Sequence, residues 1–333
     1  VNPGLDQSKL EGKVINVPAH QIIRNMHDLS KKLTNRKHSL GELTFASDEV
    51  KVVQDENDEV IDIKARVQRP SERLIEDFMV AANEQIAEFL DEYHLATFRI
   101  HAKPLEKKVD EYMKFLESIG IHYPGKFNIE NITSKDCQQI LEYLKDEKMF
   151  KALNRKMLRT MQKAVYSTEN IGHFGIASPC YTHFTSPIRR FDDTMNHQSL
   201  TQILKRRKLE DKFIESWGAY LTTLCSYVSE RERNSEKCEY AVDDMLKASY
   251  MEKHIGEEFD ATIDSCMQGA FFVQTDNYID GRVDVMQKGE VEEGAEPQYV
   301  GIPAYYDYNE KLMGYTRNGR SKLIMPNRFR CRQ

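Results

Sequence analysis

The side chains best suited to chemistry crowd into one short stretch: His173-Phe174-Gly175, then Tyr181-Thr182-His183-Phe184-Thr185-Ser186-Pro187-Ile188-Arg189-Arg190-Phe191. A proline restricts the residue before it to extended backbone, so Ser186 enters a stiff turn and two arginines follow directly. The planar guanidinium fork matches phosphate oxygens. Arg155, Lys156, Arg159 and Lys163 precede this stretch, and between Lys148 and Arg190 the only acid is Glu169. The whole chain carries a formal net charge of -6, with 47 basic and 53 acidic residues, so it has no global attraction for nucleic acid. A local basic excess in such a chain points to a phosphate-bearing partner. The competing reading is a solvated helix face, which charge taken alone favours. For His173, His183 and His197 the simplest role is structural hydrogen bonding, because their spacing is not that of a metal-binding H-x-x-x-H.

The elements that must position this stretch are legible in outline. A helix is expected over about Pro18 to Arg36. VKVVQDENDEVIDIKARV, within Glu42 to Arg66, holds two β-prone runs around an acidic turn, a hairpin pattern. Pro70 and Ser71 introduce a strong helix, with Ser71 as the N-cap and Leu74, Ile75, Phe78, Met79, Ala82, Ile86 and Phe89 at helical spacing. Charged helices follow to about Lys163, and in the last of them Met157, Leu158, Met161 and Val165 are expected to face inward. A helix-poor loop runs from Ser167 to Arg190. Helix resumes from Phe191 to about Lys253, with a break near Leu209 to Asp211, and Asp193 falls in its first turn. At Gly256 the texture changes. Phe259–Ile263, Phe271–Gln274 and Arg282–Met286 read as short strands, and Lys322–Arg332 as a last strand-like run with no closing element.

The 333 residues are enough for one large domain or two to three smaller ones at about 100–200 residues each. Hydrophobic residues at 40% and charged residues at 30% match a folded globular chain. No apolar run approaches the roughly 20 residues of a membrane span, and no apolar signal segment opens the chain. The six cysteines are scattered without a C-x-x-C pair, which argues against a zinc ribbon and fits reduced thiols in a cytoplasmic setting.

The string His-Phe-Gly…Tyr-x-His-Phe-Thr-Ser-Pro-Ile-Arg-Arg-Phe…Asp…His resembles the signature of the RNB family, the RNase II and RNase R exoribonucleases, with the RNase R type the nearer. Further pieces occur in the same order. Glu76, Met79, Ala82 and Asn83 resemble the family's E-x-x-M-x-x-A-N helix. Phe98-Arg99-Ile100-His101-Ala102-Lys103-Pro104 resembles its F/Y-R-x-H-x-x-P segment. Leu158 to Ser167 resembles the stretch before H-F-G. Gly269-Ala270-Phe271-Phe272-Val273 resembles the G-x-F-F-V of an OB-fold of the ribosomal S-one type. The resemblance covers nearly the whole chain. It implies an α+β architecture: the C-terminal part of an RNB domain over residues 1–254, then an RNA-binding OB-fold β-barrel over 255–333. Departures are Gln198 where the family usually has Arg, Phe191 in place of Tyr, and Gly281-Arg282-Val283-Asp284-Val285 in place of G-L-V-H-V.

Carried over residue by residue, the resemblance makes Arg189 the catalytic arginine at the scissile phosphate, as suits positive charge aimed at developing negative charge. Glu76 matches a contact to the terminal nucleotide. Phe45 matches an aromatic stacked on the last base, and a plain core residue is an equal reading of it. Arg190 is assigned to the RNA backbone or to its own loop. Arg159 and Phe271 are assigned to RNA binding. The implied reaction is Mg²⁺-assisted 3′→5′ hydrolysis of single-stranded RNA to nucleoside 5′-monophosphates, without a small-molecule cofactor or a membrane. The family's early D-x(5)-D-x-D-D segment, which holds the metal, has no counterpart here. Asp55, Asp58 and Asp62 read as a solvated turn, and Asp192-Asp193 and Asp243-Asp244 as helical residues. The expectation is therefore a protein shortened at both ends, with no metal ligands of its own. Three roles stay open: an exoribonuclease, a non-catalytic RNA-binding protein, and a protein-interaction scaffold.

Overall fold

The computed structural model describes residues 19–45, 50–147, 149–206, 209–267, 270–284, 286–288, 299–301, 306–309, 314–317, 320–323 and 329–332. Helix α1 (Ala19–Leu40) ends where Gly41, at φ 103°, receives the chain in a left-handed turn. The N–H groups of Gly41 and Glu42 both donate to Lys37 O at 3.1 Å, closing the helix C-terminus. A hairpin follows as expected, β1 (Val50–Gln54) against β2 (Val60–Ala65), with Asp58 at φ 62° in its turn. Asp55 there accepts the Asn57 and Glu59 N–H groups at 2.9 Å, the work of a turn residue.

Helix α2 (Pro70–Asp91) begins one residue before the expected cap. Pro70 is its first residue, and Glu72 reaches back to accept the Arg69 N–H at 2.9 Å, so Ser71 is inside the helix and not its cap. Asp77, buried on α2, accepts from Ser30 Oγ at 2.6 Å and Thr34 Oγ1 at 2.9 Å and so ties α2 to α1. Strand β3 (Phe98–Ile100) leads to α3 (Glu106–Ser118), α4 (Ser134–Leu144) and α5 (Phe150–Thr160). These three helices bury one apolar cluster that includes Tyr112, Leu116, Ile140, Leu144, Leu153 and Met157. Met157 and Met161 face inward as expected. Leu158 does not: it is 46% exposed, because it falls one step off the buried stripe of α5.

Strand β4 (Val165–Ser167) pairs antiparallel with β3, and a single 3₁₀ turn covers Phe174–Ile176. Helix α6 (Phe191–Lys205) and the long α7 (Asp211–Glu252) bracket the expected break. Leu221, Leu224, Cys225 and Val228 of α7 close over Tyr166 of β4 and Met195 of α6. The far end of α7 carries the β1–β2 hairpin through Leu246, Tyr250 and Met251. Cys137, Cys180 and Cys225 are free and buried, and burial pushes each thiol up to about 12, so they serve as core residues and not nucleophiles.

Beyond α7 the chain is β. Strands β5 (Glu258–Met267), β6 (Ala270–Thr275) and β7 (Asp280–Asp284) form an antiparallel meander. Met286 leaves this sheet and opens β8 (Met286–Lys288), which pairs with β9 (Tyr299–Gly301). Strands β10 (Tyr306–Asn309), β11 (Gly314–Arg317) and β12 (Arg320–Leu323) form a third sheet. The final run divides, and β13 (Phe329–Arg332) pairs back onto β5, giving the order β13-β5-β6-β7. Among the described residues no helix is long and apolar enough to cross a membrane.

Gly41 meets backbone closely, because a Cβ there would lie 2.7 Å from Lys135 N and 2.8 Å from Lys135 Cα. Gly41→Ala is expected to cost about 2 kcal/mol or more, from strain plus clash. Gly120→Ala, at φ 83° with nothing within 4 Å, is expected to cost about 1 kcal/mol. Urea-unfolding midpoints of the two variants measure this, and equal costs would refute the close approach of α1 and α4.

Candidate nucleic-acid interface

The motif pieces, some more than a hundred residues apart in the chain, meet around β3 and β4. Tyr181–Ser186 runs as an extended segment beside β3, and Arg99 N donates to Tyr181 O at 2.9 Å. Two buried asparagines hold this segment from opposite sides. Asn83 of α2 donates to Tyr181 Oη at 3.1 Å and accepts from Phe184 N at 3.0 Å. Asn196 of α6 donates to Thr182 Oγ1 at 2.8 Å and to His183 O at 3.1 Å, and accepts from Thr97 N at 3.0 Å. Thr182 Oγ1 in turn donates to Thr97 O. An amide side chain offers donors and acceptors together, which is what a backbone segment without a sheet partner requires. His197 hydrogen-bonds Phe184 O at 2.9 Å and stacks on the Phe184 ring at 3.8 Å.

The histidines take structural places. His101, His173, Tyr181, His183 and Tyr166 form a run of edge-to-face rings with centroids 5.0 to 5.8 Å apart. Gly175 N donates to His101 Nδ1 at 3.0 Å, and a Cβ on Gly175 would lie 2.9 Å from that nitrogen, so the third residue of His-Phe-Gly must be glycine. His183 Nδ1 lies 2.8 Å from Tyr166 Oη. Burial, with help from neighbouring positive charge, holds His183 down to about 2 and His173 down to about 3, so both rings are neutral. Burial also raises the Asp192 carboxyl to about 8, and Asp193 beside it adds to the rise.

The arginine turn is stapled to the start of α6. Asp193, with no exposed surface, accepts Arg190 Nε at 2.7 Å and Nη2 at 2.9 Å. Its Oδ1 also accepts Ser186 N at 2.7 Å. Thr194 Oγ1 donates to Pro187 O at 3.1 Å, and the N–H groups of Arg189 and Arg190 turn back to Ser186 O. Arg190 therefore spends its fork on Asp193, within its own loop. Arg189 is left exposed at the edge of an open groove of about 830 Å³ between this loop, β4 and α7. Of the other groove cations, Arg99 is matched by Glu232 at 2.5 Å, Lys163 by Glu236 at 2.9 Å and Arg231 by Glu230 at 2.8 Å, whereas Arg233 is exposed and in none of the described ion pairs. Among the described ion pairs Arg189 takes part in none.

The remaining candidates do not line this groove. Glu76 is exposed on α2 and accepts Gln68 Nε2 at 2.5 Å. Phe45 is half-buried and packs, with Phe174, against the α3–α5 cluster. Arg159 is exposed on α5, with contacts of its own there. Phe271 lies on β6 with its backbone opposite Cys266 and Val283, and its side chain falls outside the described residues. Sequence reasoning missed two half-exposed groove aromatics: Phe191, which it met only as a departure from a motif, and Tyr227, which lies in no motif at all.

A divalent cation is the group the family resemblance implies. His183, Asp192 and Asp193 have ligand atoms within 4.8 Å of one another. They do not fit Mg²⁺, which demands ionised oxygens and keeps several waters. Both Asp193 oxygens are engaged, Asp192 is neutral at pH 7, and His183 Nδ1 is taken by Tyr166. No hydrolytic step is routed through this group.

The opposed shifts make stability peak near pH 6.5. Below that value the unfolded chain takes up protons that His173 and His183 refuse, so stability falls with pH by on the order of 1 kcal/mol per unit per ring. Asp192 acts in reverse: folded it keeps a proton up to about 8, whereas unfolded it loses it near 4, so stability also falls as pH rises from 6.5 to 8. Melting temperature against pH is expected to show both limbs. Asp192→Asn should flatten the alkaline limb and steepen the acid limb between about pH 4 and 6.5, where the carboxyl offsets part of the histidine loss, and an unchanged alkaline limb would refute the neutral carboxyl.

The RNB domain family profile matches residues 5–206. Ribonuclease R of Thermotoga maritima is 36% identical over 260 residues, 77% of this chain and 36% of that protein. Among solved structures, the apo form of Mycoplasma genitalium RNase R superposes with a TM-score of 0.81 at 24% identity, covering 97% of this chain and 49% of that one. The same protein in complex with ribose-methylated single-stranded RNA gives 0.80 at 24% identity, with the same coverage. The chain thus spans about a third of the length of the curated relative it matches.

Proposed function

The chain belongs to the RNB family, and from that premise we propose that it is the RNA-gripping C-terminal part of a 3′→5′ exoribonuclease of the RNase R type. One observation carries the reading: the family's scattered motif pieces converge on a groove where Arg189 and Arg233 are exposed outside the described ion pairs while Arg99, Lys163 and Arg231 are matched by carboxylates. Arg189 binds a backbone phosphate of single-stranded RNA, the scissile one in the complete enzyme, and stabilises the charge that develops there. Arg190 and Asp193 fix its position. Since the groove meets phosphate and not base edges, the grip is indifferent to sequence. Residues 1–254 are the RNB portion. Residues 255–333 are an OB-type module that adds RNA contacts through the β5–β7 face, where Phe271 sits. Glu76 remains a candidate contact to the last nucleotide. Divalent-metal chemistry, with Mg²⁺ as the expected ion, belongs to the complete family enzyme. The solved Mycoplasma genitalium complex with single-stranded RNA, at the same fold, supports RNA as the ligand class.

A second reading, RNA binding without hydrolysis by this chain alone, is favoured by the commitment of His183, Asp192 and Asp193 to internal partners.

The test mixes 5′-labelled single-stranded RNA with this chain and Mg²⁺ across a salt series. Binding is expected to weaken steeply as salt rises, by displacement of counterions. Arg189→Ala should lower affinity about tenfold or more at low salt. RNA length is expected to stay constant. Equal affinity of Arg189→Ala would refute the phosphate role. Shortening from the 3′ end would place hydrolysis in this chain and refute the second reading.

A further inference from the structure

One turn of the β module is gripped from two sides. Residues 275–279 join β6 to β7 and are tied to themselves: Thr275 N donates to Ile279 O at 2.9 Å, and Ile279 N donates to Thr275 Oγ1 at 3.1 Å. Tyr278 in this turn has φ 64°, a left-handed backbone that an aromatic residue keeps only where its surroundings hold it. On one side stands α5. Lys151 Nζ lies 5.1 Å from the centroid of the Tyr278 ring, and Arg155 Nη2 donates to Gln274 Oε1 at 3.1 Å at the edge of the same turn. On the other side Ile279, buried, enters the cluster built by Val60 and Ile63 of the hairpin and Leu246, Tyr250 and Met251 of α7. Among the described residues Ile279 is the one member of that cluster from the β module. Its partners there all belong to other elements, so its burial stabilises the docking of the module. Elsewhere the joint is loose. The covalent link passes through Gly256, at φ 95° with nothing within 4 Å of its Cβ position, and an open groove of about 780 Å³ lies between α7 and the β6–β7 strands. The module is pivoted at Gly256 and set by the turn. Lys163, just past the end of α5, lines the Arg189 groove, so the helix that grips the turn runs directly to that groove.

We propose that the 275–279 turn is a latch, with Tyr278 and Ile279 as positioning residues, that holds the β module at a set distance from the Arg189 groove so that one RNA strand engages both. This deepens the RNA reading above and rests on it. Neither residue touches RNA. The latch acts through geometry: once a strand lies on the groove, binding to the module is intramolecular, and its effective concentration is highest when the two surfaces are already held at the span of the strand. A module free to swing about Gly256 must be ordered at each binding event, and affinity for long strands falls by that cost. The latch therefore sets how affinity depends on RNA length, and leaves the groove's own grip as it is.

The experiment measures the affinity of the full chain for two labelled oligouridylates at one low salt concentration: one of about 5 nucleotides, which fills the groove alone, and one of about 25, which reaches the module as well. Fluorescence anisotropy reads both. Wild-type protein is expected to bind the long strand on the order of 100-fold more tightly than the short one. Ile279→Ala should shrink that ratio about fivefold or more while leaving short-strand affinity unchanged, and the conservative Ile279→Val should keep it. Tyr278→Gly removes the ring from Lys151 and relieves the left-handed backbone, so it should shrink the ratio with the module still folded. Thermal melting checks each variant, and Tyr278→Gly carries the test should Ile279→Ala unfold the module. An unchanged ratio in the folded variants, whether both affinities hold or both fall equally, overturns the latch and leaves the RNA reading standing. Equal affinity of wild-type protein for the two strands overturns the latch and the module's RNA contacts, and leaves the Arg189 groove. Failure of wild-type protein to bind either strand overturns the RNA reading itself, and the latch with it.

Discussion

A carboxylate with no exposed surface, Asp193, decides where the arginine turn sits. It accepts three hydrogen bonds, two from the Arg190 fork and one from the Ser186 backbone. A bidentate pair fixes angle as well as distance. Taking that carboxylate out of water is costly, and the full set of partners offsets the cost. Removing one partner would leave a buried charge exposed to no compensation. With both ends of the turn pinned to the first turn of α6, Arg189 between them stays exposed and lines the groove. The two adjacent arginines thus divide the work: one is consumed to place the other.

The same logic extends outward from the turn. Asn83 and Asn196 clasp the segment before it, and through them α2, β3 and α6 are held in one arrangement. These groups are buried, so each unmade hydrogen bond would cost its full desolvation. The neutral histidines complete the set. His183 and His173 are packed as rings among rings, and burial keeps them uncharged beside Arg99 and Arg190. Positive charge in this region is therefore confined to guanidinium and ammonium groups, of which Arg189 and Arg233 line the groove outside every described ion pair.

Much of this was legible in the sequence, and the exceptions have physical causes. The hairpin, the α6–α7 break and the change of texture at Gly256 follow from alternation, turn residues and periodicity. The motif string located the site because its residue types are costly to bury and so cannot be scattered at random. Leu158 and Ser71 were misplaced because helix phase and cap position shift by one residue without altering composition. The clamp was half visible: Arg190 and Asp193 stand three apart, but only the fold shows that Ser186 joins them and that Asp193 is sealed from water. Tyr227 was invisible, because a tyrosine on a charged helix carries no sign of which groove it faces.

The account stands or falls on whether the buried clamp acts through Arg189. The direct measurement is a double-mutant cycle on single-stranded RNA affinity with Asp193→Asn, Arg189→Ala and the double variant, each checked by melting to be folded. If the clamp exists to present Arg189, Asp193→Asn weakens RNA binding in the wild-type background and has no further effect once Arg189 is gone. Equal losses in the two backgrounds would contradict the account, for they would mean that the clamp and the arginine serve the groove independently.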